Sequence, residues 1–310
     1  MPTPAFLETE ESVSSTFCNG FSIGGVSVEV SSSTPEDCVL VPSLEPFRDQ
    51  RSRSDIRLQI EWVSELKPKG HPRVFDSGTT WRLYHEEARY VFDFTAPRFG
   101  AAPYRRLSVD EGFGRGIVQL SRGSLRDSPG SISALDYPLD ELLIMHRLSQ
   151  EKAIELHGAG IVRADGVGNL FIGHSSAGKS TTTRLWIERE PVEVLSDDRI
   201  IVRHEPGCGP TSVRMFGTPW HGEAMYASPG NAPLARIFIL EHGFGNVLTR
   251  LAPTQAVAEL FARSFVPFHR HEYVDAALAF LQELVDTVPI YRYSFEPDRR
   301  AVETIANFRD

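Results

Sequence analysis

The stretch "LFIGHSSAGKSTTTRLW", residues 170–186, decides the reading of this chain. An apolar run meets Gly173, then small or polar residues, then Gly178-Lys179-Ser180-Thr181 and a helix-like tail. Gly173 to Ser180 matches G-x-x-x-x-G-K-[ST] in full. Glycines let backbone N–H groups turn inward and cradle phosphates. Lys179 would pair with β- and γ-phosphate oxygens, and the Ser180 hydroxyl would hold Mg²⁺. The start of the following helix adds positive potential at the same place. The expected nucleotide site is therefore Gly173, His174, Ser175, Ser176, Ala177, Gly178, Lys179, Ser180 and Thr181, with ATP and Mg²⁺ as its ligands.

Downstream, "VEVLSDD" (192–198) reads as the next strand, and it delivers Asp197 and Asp198 to the mouth of the loop. One carboxylate is placed to bind Mg²⁺, directly or through water. The other is placed to accept a proton from an attacking hydroxyl. Many phosphate-loop ATPases carry Asp-Glu here, with the Glu holding a water. The second acid of this chain is Asp, one methylene shorter, which leaves room for a bulkier acceptor such as an alcohol. Upstream, "AIELHGAGIVRADGVGNLFIG" (153–173) reads as two apolar strands around an Asp/Gly turn. The strand entering the loop is thus the second arm of a hairpin, which argues for a mixed sheet. "YPLDELLIMHRLSQEKAIELHG" (137–158) reads as a helix, with apolar positions at Leu139, Leu142, Ile144, Met145 and Leu148.

Taken together, "LHGAGIVRADGVGNLFIGHSSAGKSTTTRLW" and "VEVLSDDRIIV" resemble the catalytic core of the HPr kinase/phosphorylase family, one of the PEP-carboxykinase-like P-loop proteins. The matching features are His157-Gly158, the phosphate loop, and Asp197-Asp198-Arg199, in that order. The resemblance covers residues 150–205 well and the remainder to 310 loosely. It implies an α/β fold: a PEP-carboxykinase-like P-loop core with a mixed sheet. It also implies Mg²⁺-dependent transfer of the γ-phosphoryl group to a serine-type hydroxyl. By position, Asp198 is the implied general base, Asp197 sits by the metal with Ser180, and His157 helps orient the acid pair; Lys179 completes the expected catalytic set. "FGTPWHGE" (216–223) is associated with the HPr-kinase-related branch, whose members are linked to peptide or small-molecule hydroxyls. The acceptor is therefore expected to be a hydroxyl-bearing peptide, protein or small molecule. Two other readings stay open: a nucleotide-binding regulatory or assembly ATPase without acceptor, and a small-metabolite kinase of doubly wound fold.

The rest of the chain frames this core. Residues 1–135 read mostly as short strands, for example "FSIGGVSVEV", "IRLQIEWVSEL" and the hairpin-like "TTWRLYHEEARYVFDF". They form the expected β-rich N-terminal domain of unknown role, with a catalytic domain over 136–310. "GTPWHGE" offers Trp220, His221 and Glu223 either as an acceptor pocket or as a packed loop. Arg199, Arg236 and Arg263 are candidates for neutralising transition-state charge. "PFHRHEY" (267–273) reads as a solvated interhelical loop, with a metal site the alternative. The DxxG at Asp127–Gly130 precedes the phosphate loop, the wrong order for a GTPase. Net charge is −9, so no general attraction to nucleic acid is expected. The basic cluster Arg48, Arg51, Arg53, Arg57 reads as a solvated loop. Cys18, Cys38 and Cys208 lie far apart, which suits a reducing cytoplasm. No membrane span is expected, and a homo-oligomer is allowed.

Overall fold

A computed structural model describes residues 16–49, 53–70, 72–125, 133–174, 177–205 and 212–309. Ser175, Ser176, Cys208, Arg51, the first 15 residues and Asp127–Gly130 lie outside the described residues. Those described form a mixed α/β structure with two mixed sheets and six α-helices.

The first sheet has eight strands: β1 (Phe17–Ile23), β2 (Val26–Ser32), β3 (Ile56–Val63), β4 (Phe75–Asp76), β5 (Trp81–Glu86), β6 (Arg89–Phe94), β7 (Arg105–Asp110) and β8 (Arg115–Ser121). Their spatial order is β1-β2-β3-β8-β7-β6-β5-β4. The β1–β2 hairpin turns on Gly24 and Gly25, both at positive φ, as a tight two-residue turn requires. The β2–β3 and β3–β8 pairs are parallel, so this half is more than the succession of hairpins its turn residues suggest. Along β3, Ile56, Leu58 and Ile60 are buried while Arg57 and Gln59 are exposed, the alternation of a half-buried strand.

A one-turn helix, α1 (Arg122–Leu125), follows β8; α2 (Leu139–Leu148) comes next. The helical reading of 137–158 holds only to Leu148. Ser149 turns its hydroxyl back onto the Met145 carbonyl at 2.8 Å. From Ala153 the residues enter β9, because Ile154 and Leu156 alternate with Glu155 and His157 at strand spacing. Leu139, Leu142, Leu143, Ile144 and Leu148 of α2 are buried in the same apolar cluster as Phe92, Phe94 and Leu107 of the first sheet. Ala153, Ile201 and Trp220 join that cluster from the other half.

The second half contains β9 (Ala153–Arg163), β10 (Gly168–Ile172), α3 (Lys179–Arg189), β11 (Val192–Ser196), β12 (Arg199–His204), β13 (Val213–Phe216), β14 (Asn231–His242), β15 (Val247–Arg250), α4 (Pro253–Phe261), β16 (Ser264–Phe265), α5 (His271–Thr287), β17 (Ile290–Phe295) and α6 (Arg299–Asn307). The strands β9 and β10 are antiparallel, so a hairpin does lead into the 173–180 loop. On its other side β10 runs parallel to β14, and β14 parallel to β17. The path β10-β9-β12-β13-β14 returns to β10, which closes these strands into a ring. One core lies against α4 and α5, with Leu170, Ile172, Ile237, Phe280 and Leu284 buried. A second lies against α3 and α6, with Phe171, Trp186, Phe238 and Ile305 buried. Each fully buried Leu, Ile or Phe contributes about 1.5–3 kcal/mol, which fixes β10 from both faces and α3 from the one that carries Leu185 and Trp186. Among the described residues no helix is long and apolar enough to cross a membrane.

Candidate active site

The loop after β10 is shaped by its two glycines. Gly178 has φ +103°, and a Cβ there would lie 2.5 Å from the Phe295 ring. A Cβ on Gly173 would lie 2.6 Å from that of Ala177. Other residues would force the turn open, so the pattern of the sequence has a steric cause here. Gly178 is the cap before α3, and the axis of α3 starts at Lys179.

Lys179 is only 8% exposed. Its Nζ donates to the Gly173 carbonyl at 3.0 Å and the His174 carbonyl at 3.3 Å, and it lies 2.9 Å from His157 Nε2. An ammonium group has three donors and no acceptor, so His157 Nε2 must accept. The proton of the neutral imidazole is therefore assigned to Nδ1, which faces Asp198 Oδ1 at 3.2 Å. Arg199 Nη1, 3.3 Å from the same Nδ1, then has a donor in front of it and turns instead to Asp198 Oδ2. Burial and the Lys179 charge lower the His157 pKa, and Asp198 only partly offsets them; this agrees with a neutral ring. Burial also lowers the Lys179 pKa, with Arg199 and Arg263 adding to the effect against Asp198 and Asp197.

The acid pair lies in the turn between β11 and β12. Ser196 Oγ accepts from the backbone N–H groups of Asp198 and Arg199, both at 3.2 Å, which sets that turn. The Asp198 carbonyl accepts from Gly158 N–H at 3.0 Å. Asp197 is 3% exposed and takes Gly222 N–H on Oδ1 at 2.9 Å and Ala224 N–H on Oδ2 at 3.0 Å. It is thus a staple for the 217–224 segment, and each oxygen keeps a lone pair for an ion or water.

His157, Gly178, Lys179, Ser180, Thr181, Asp197 and Asp198 line one cleft of about 460 Å³, together with Gly222, Glu223 and His242. Seven of the expected residues therefore converge there, whereas Gly173, His174 and Ala177 are not among the lining residues. The ring of His174 turns away, its Nε2 facing Arg263 Nη2 at 2.7 Å. Ser180, Asp197 and Asp198 offer only hard oxygen donors, which suits Mg²⁺. Among the described residues no group of three or more His, Cys, Asp or Glu could form a metal cage. Mg²⁺ with a nucleotide takes most ligands from phosphate and water, so it would need only one or two protein oxygens of the kind Ser180 and Asp197 offer.

Other candidates separate. Trp220 is buried and donates from Nε1 to Asp140 at 2.8 Å, so it packs the loop and does not face the cleft. Glu223 does line it, while His221 is exposed and bonds within its own turn. Arg263 reaches the loop after β10 through His174. Arg236 pairs across from Asn169, near the start of β10 and the far end from the loop, with its guanidinium 5.6 Å from the Phe308 ring centre. Arg199 is committed to carboxylates, with Phe265 4.0 Å beneath it. "PFHRHEY" is no metal site: His269 packs among Tyr90, His146 and Tyr273. The sequence reading passed over Asp140, Glu141, Glu155, His242 and Phe295. Glu155 in an otherwise apolar strand, two residues from His157 and on the same face, was the available signal. No protein-family model matches the chain, and no curated protein matches it.

Proposed function

We propose that this chain is an ATP-dependent kinase with a PEP-carboxykinase-like P-loop core of the HPr-kinase-related type, acting on a hydroxyl. One observation carries the reading: Lys179, His157 and Asp198 form a bonded chain on the wall of the cleft that Ser180 and Asp197 also line. The entering strand β10 is antiparallel to β9 on one side and parallel to β14 on the other, which favours this over a doubly wound metabolite kinase, whose entering strand would be parallel to both neighbours.

In the proposed reaction the acceptor oxygen bonds to the γ-phosphorus and the bond to the β–γ bridging oxygen breaks, releasing ADP. The hydroxyl proton passes to Asp198. Mg²⁺, when bound, neutralises charge on the β- and γ-oxygens. Asp198 is oriented for this by His157 Nδ1–H and by Arg199. A base so placed is worth about 10²–10⁴-fold, roughly 3–5 kcal/mol of barrier. Lys179 has its three N–H bonds satisfied within the protein, so a nucleotide must offer better acceptors than two carbonyls and an imidazole. Phosphate oxygens are such acceptors, because they carry negative charge opposite the ammonium, whereas the two carbonyls and the imidazole are neutral.

The test is incubation with γ-labelled ATP, Mg²⁺ and a panel of hydroxyl-bearing peptides, proteins and metabolites. Label on an acceptor supports a kinase. ADP release that no acceptor accelerates would point to the regulatory or assembly ATPase instead.

A further inference from the structure

We propose that Asp140 and Glu141, neighbours in the first turn of α2, are positioning residues that hold the two acids of the cleft from behind, making the first sheet part of the catalytic frame. The proposal rests on the kinase reading above. Acids in a first turn are ordinarily solvated partners of the helix N-terminus. These two are not: Asp140 is 2% and Glu141 8% exposed.

Their side chains lead to different members of the acid pair. Glu141 Oε1 accepts from Arg199 Nε at 2.9 Å, and Arg199 Nη1 donates to Asp198. Glu155, 1% exposed, supports the same guanidinium from β9 with Oε1 3.4 Å from Nε. On the other arm Asp140 Oδ2 accepts from Trp220 Nε1 at 2.8 Å. The Trp220 carbonyl accepts from Ser196 Oγ at 3.3 Å, and the segment beyond it delivers the Gly222 and Ala224 N–H groups to Asp197. One helical turn therefore anchors both the loop that grips Asp197 and the arginine that grips Asp198.

The turn is itself placed by the first sheet. Leu139, Leu143 and Ile144 are fully buried against Phe92, Phe94 and Leu107. Arg105 of β7, also fully buried, is a charge that acts on Asp140. Buried carboxylates are costly and add little net stability, yet losing one partner of a buried pair is strongly destabilising. Such groups persist where they fix a geometry, and a catalytic group displaced by about 1 Å can lose roughly 100-fold in rate.

The experiment compares full-length Glu141→Ala, Glu141→Gln, Asp140→Ala, Asp140→Asn and Trp220→Phe with the parent chain. Two readouts are used: amide hydrogen exchange at Gly158, Gly222 and Ala224, and phosphoryl transfer split into kcat and KM for ATP. Glu141→Ala should lower kcat by about 30-fold with KM for ATP within about threefold, while Glu141→Gln, whose amide oxygen accepts the same N–H, should stay within about threefold. Asp140→Ala should speed exchange at Gly222 and Ala224 by about tenfold or more, and Asp140→Asn should restore it. If the alanine variants do not fold, Trp220→Phe cuts the same arm from its other end and should speed the same amides. Folded alanine variants with parental kcat and parental exchange would overturn the proposal, as would Glu141→Gln losing as much as Glu141→Ala. Should the parent chain transfer no label to any acceptor, the kinase reading fails by itself, and the exchange readout still decides the positioning role.

Discussion

The two ends of α2 meet the second half of the molecule with opposite chemistry. The first turn presents Asp140 and Glu141, bonded to Trp220 and Arg199. The last turn presents His146, 1% exposed, its Nδ1–H given to the Leu142 carbonyl at 2.6 Å. Around that ring stand Phe113 at 4.8 Å, Phe92 and His269 at 5.2 Å, and Tyr273 at 6.3 Å. Burial pushes His146 down to about 3 and His269 to about 4, so both rings are neutral at pH 7. One end uses charge to place groups. The other excludes charge and packs aromatic faces. Changes on the charged side should therefore move catalysis more than stability, and changes on the aromatic side the reverse.

The largest expected effect tests the charged side at its far end. Lys179→Ala should cost about 10³-fold or more in transfer, at least about 4 kcal/mol of barrier, with Tm within about 5 °C of the parent. Steady-state transfer and calorimetry check this together; a large Tm drop would mean that the lysine holds the fold and would break the division. Asp198→Asn comes next. It keeps the shape and one oxygen to accept from Arg199 or His157, but removes the proton acceptor, so transfer should fall about 10²–10⁴-fold. Titration with a fluorescent ATP analogue should give an affinity within about threefold of the parent, because only the chemical step is touched.

Why one side could be read in advance and the other could not follows from distance along the chain. The glycine-rich loop after β10, the hairpin before it and the acid pair after it lie between residues 153 and 198, and each is a local pattern of turn glycines and strand-end acids. Their meeting needs only neighbouring strands: His157 of β9 pairs directly with Arg199 of β12. Asp140 and Glu141 sit 80 and 58 residues from the groups they bind. In sequence they look like ordinary first-turn acids, and only tertiary packing buries them. In "PFHRHEY" Phe268, His271 and Glu272 are exposed as a solvated loop has them, but His269 becomes an aromatic contact once Tyr90 and His146 arrive from elsewhere. The ring of strands was half legible: the β9–β10 hairpin follows from its Asp/Gly turn, whereas the parallel β10–β14 pairing joins segments with no shared local pattern.

The two smaller predictions read the comparison through pH, and their signs differ. His146 has a folded pKa below the usual 6.5, so its contribution to stability is complete above pH 6.5 and is lost as pH falls toward 3, at about 1.4 kcal/mol per unit. The positive groups involved are His269 beside it and, through His269, Arg270 and His85. His146→Leu should therefore flatten the acid limb of a urea-unfolding series by about 3 kcal/mol between pH 6.5 and 4.5, leaving the pH 7 transfer rate near the parent. Asp140 runs the other way. Burial raises it to about 7, against the Trp220 bond, the Glu141 backbone N–H and the Arg105 charge, while the Glu141 charge adds to the rise. Its contribution is complete below about pH 4 and is lost as pH climbs to 7, the mirror image of the histidine. Asp140→Asn accepts the same Trp220 N–H without ionising. Its stability relative to the parent should rise by about 1.4 kcal/mol from pH 5 to pH 6 and level off above 7. Over that same interval His146 and His269 each gain the parent about what its aspartic acid gives up, so Asp140 halves their combined slope. Removing the aspartic acid should make the parent's shallow profile steeper, and an unchanged slope would show that Asp140 already carries its charge at pH 5.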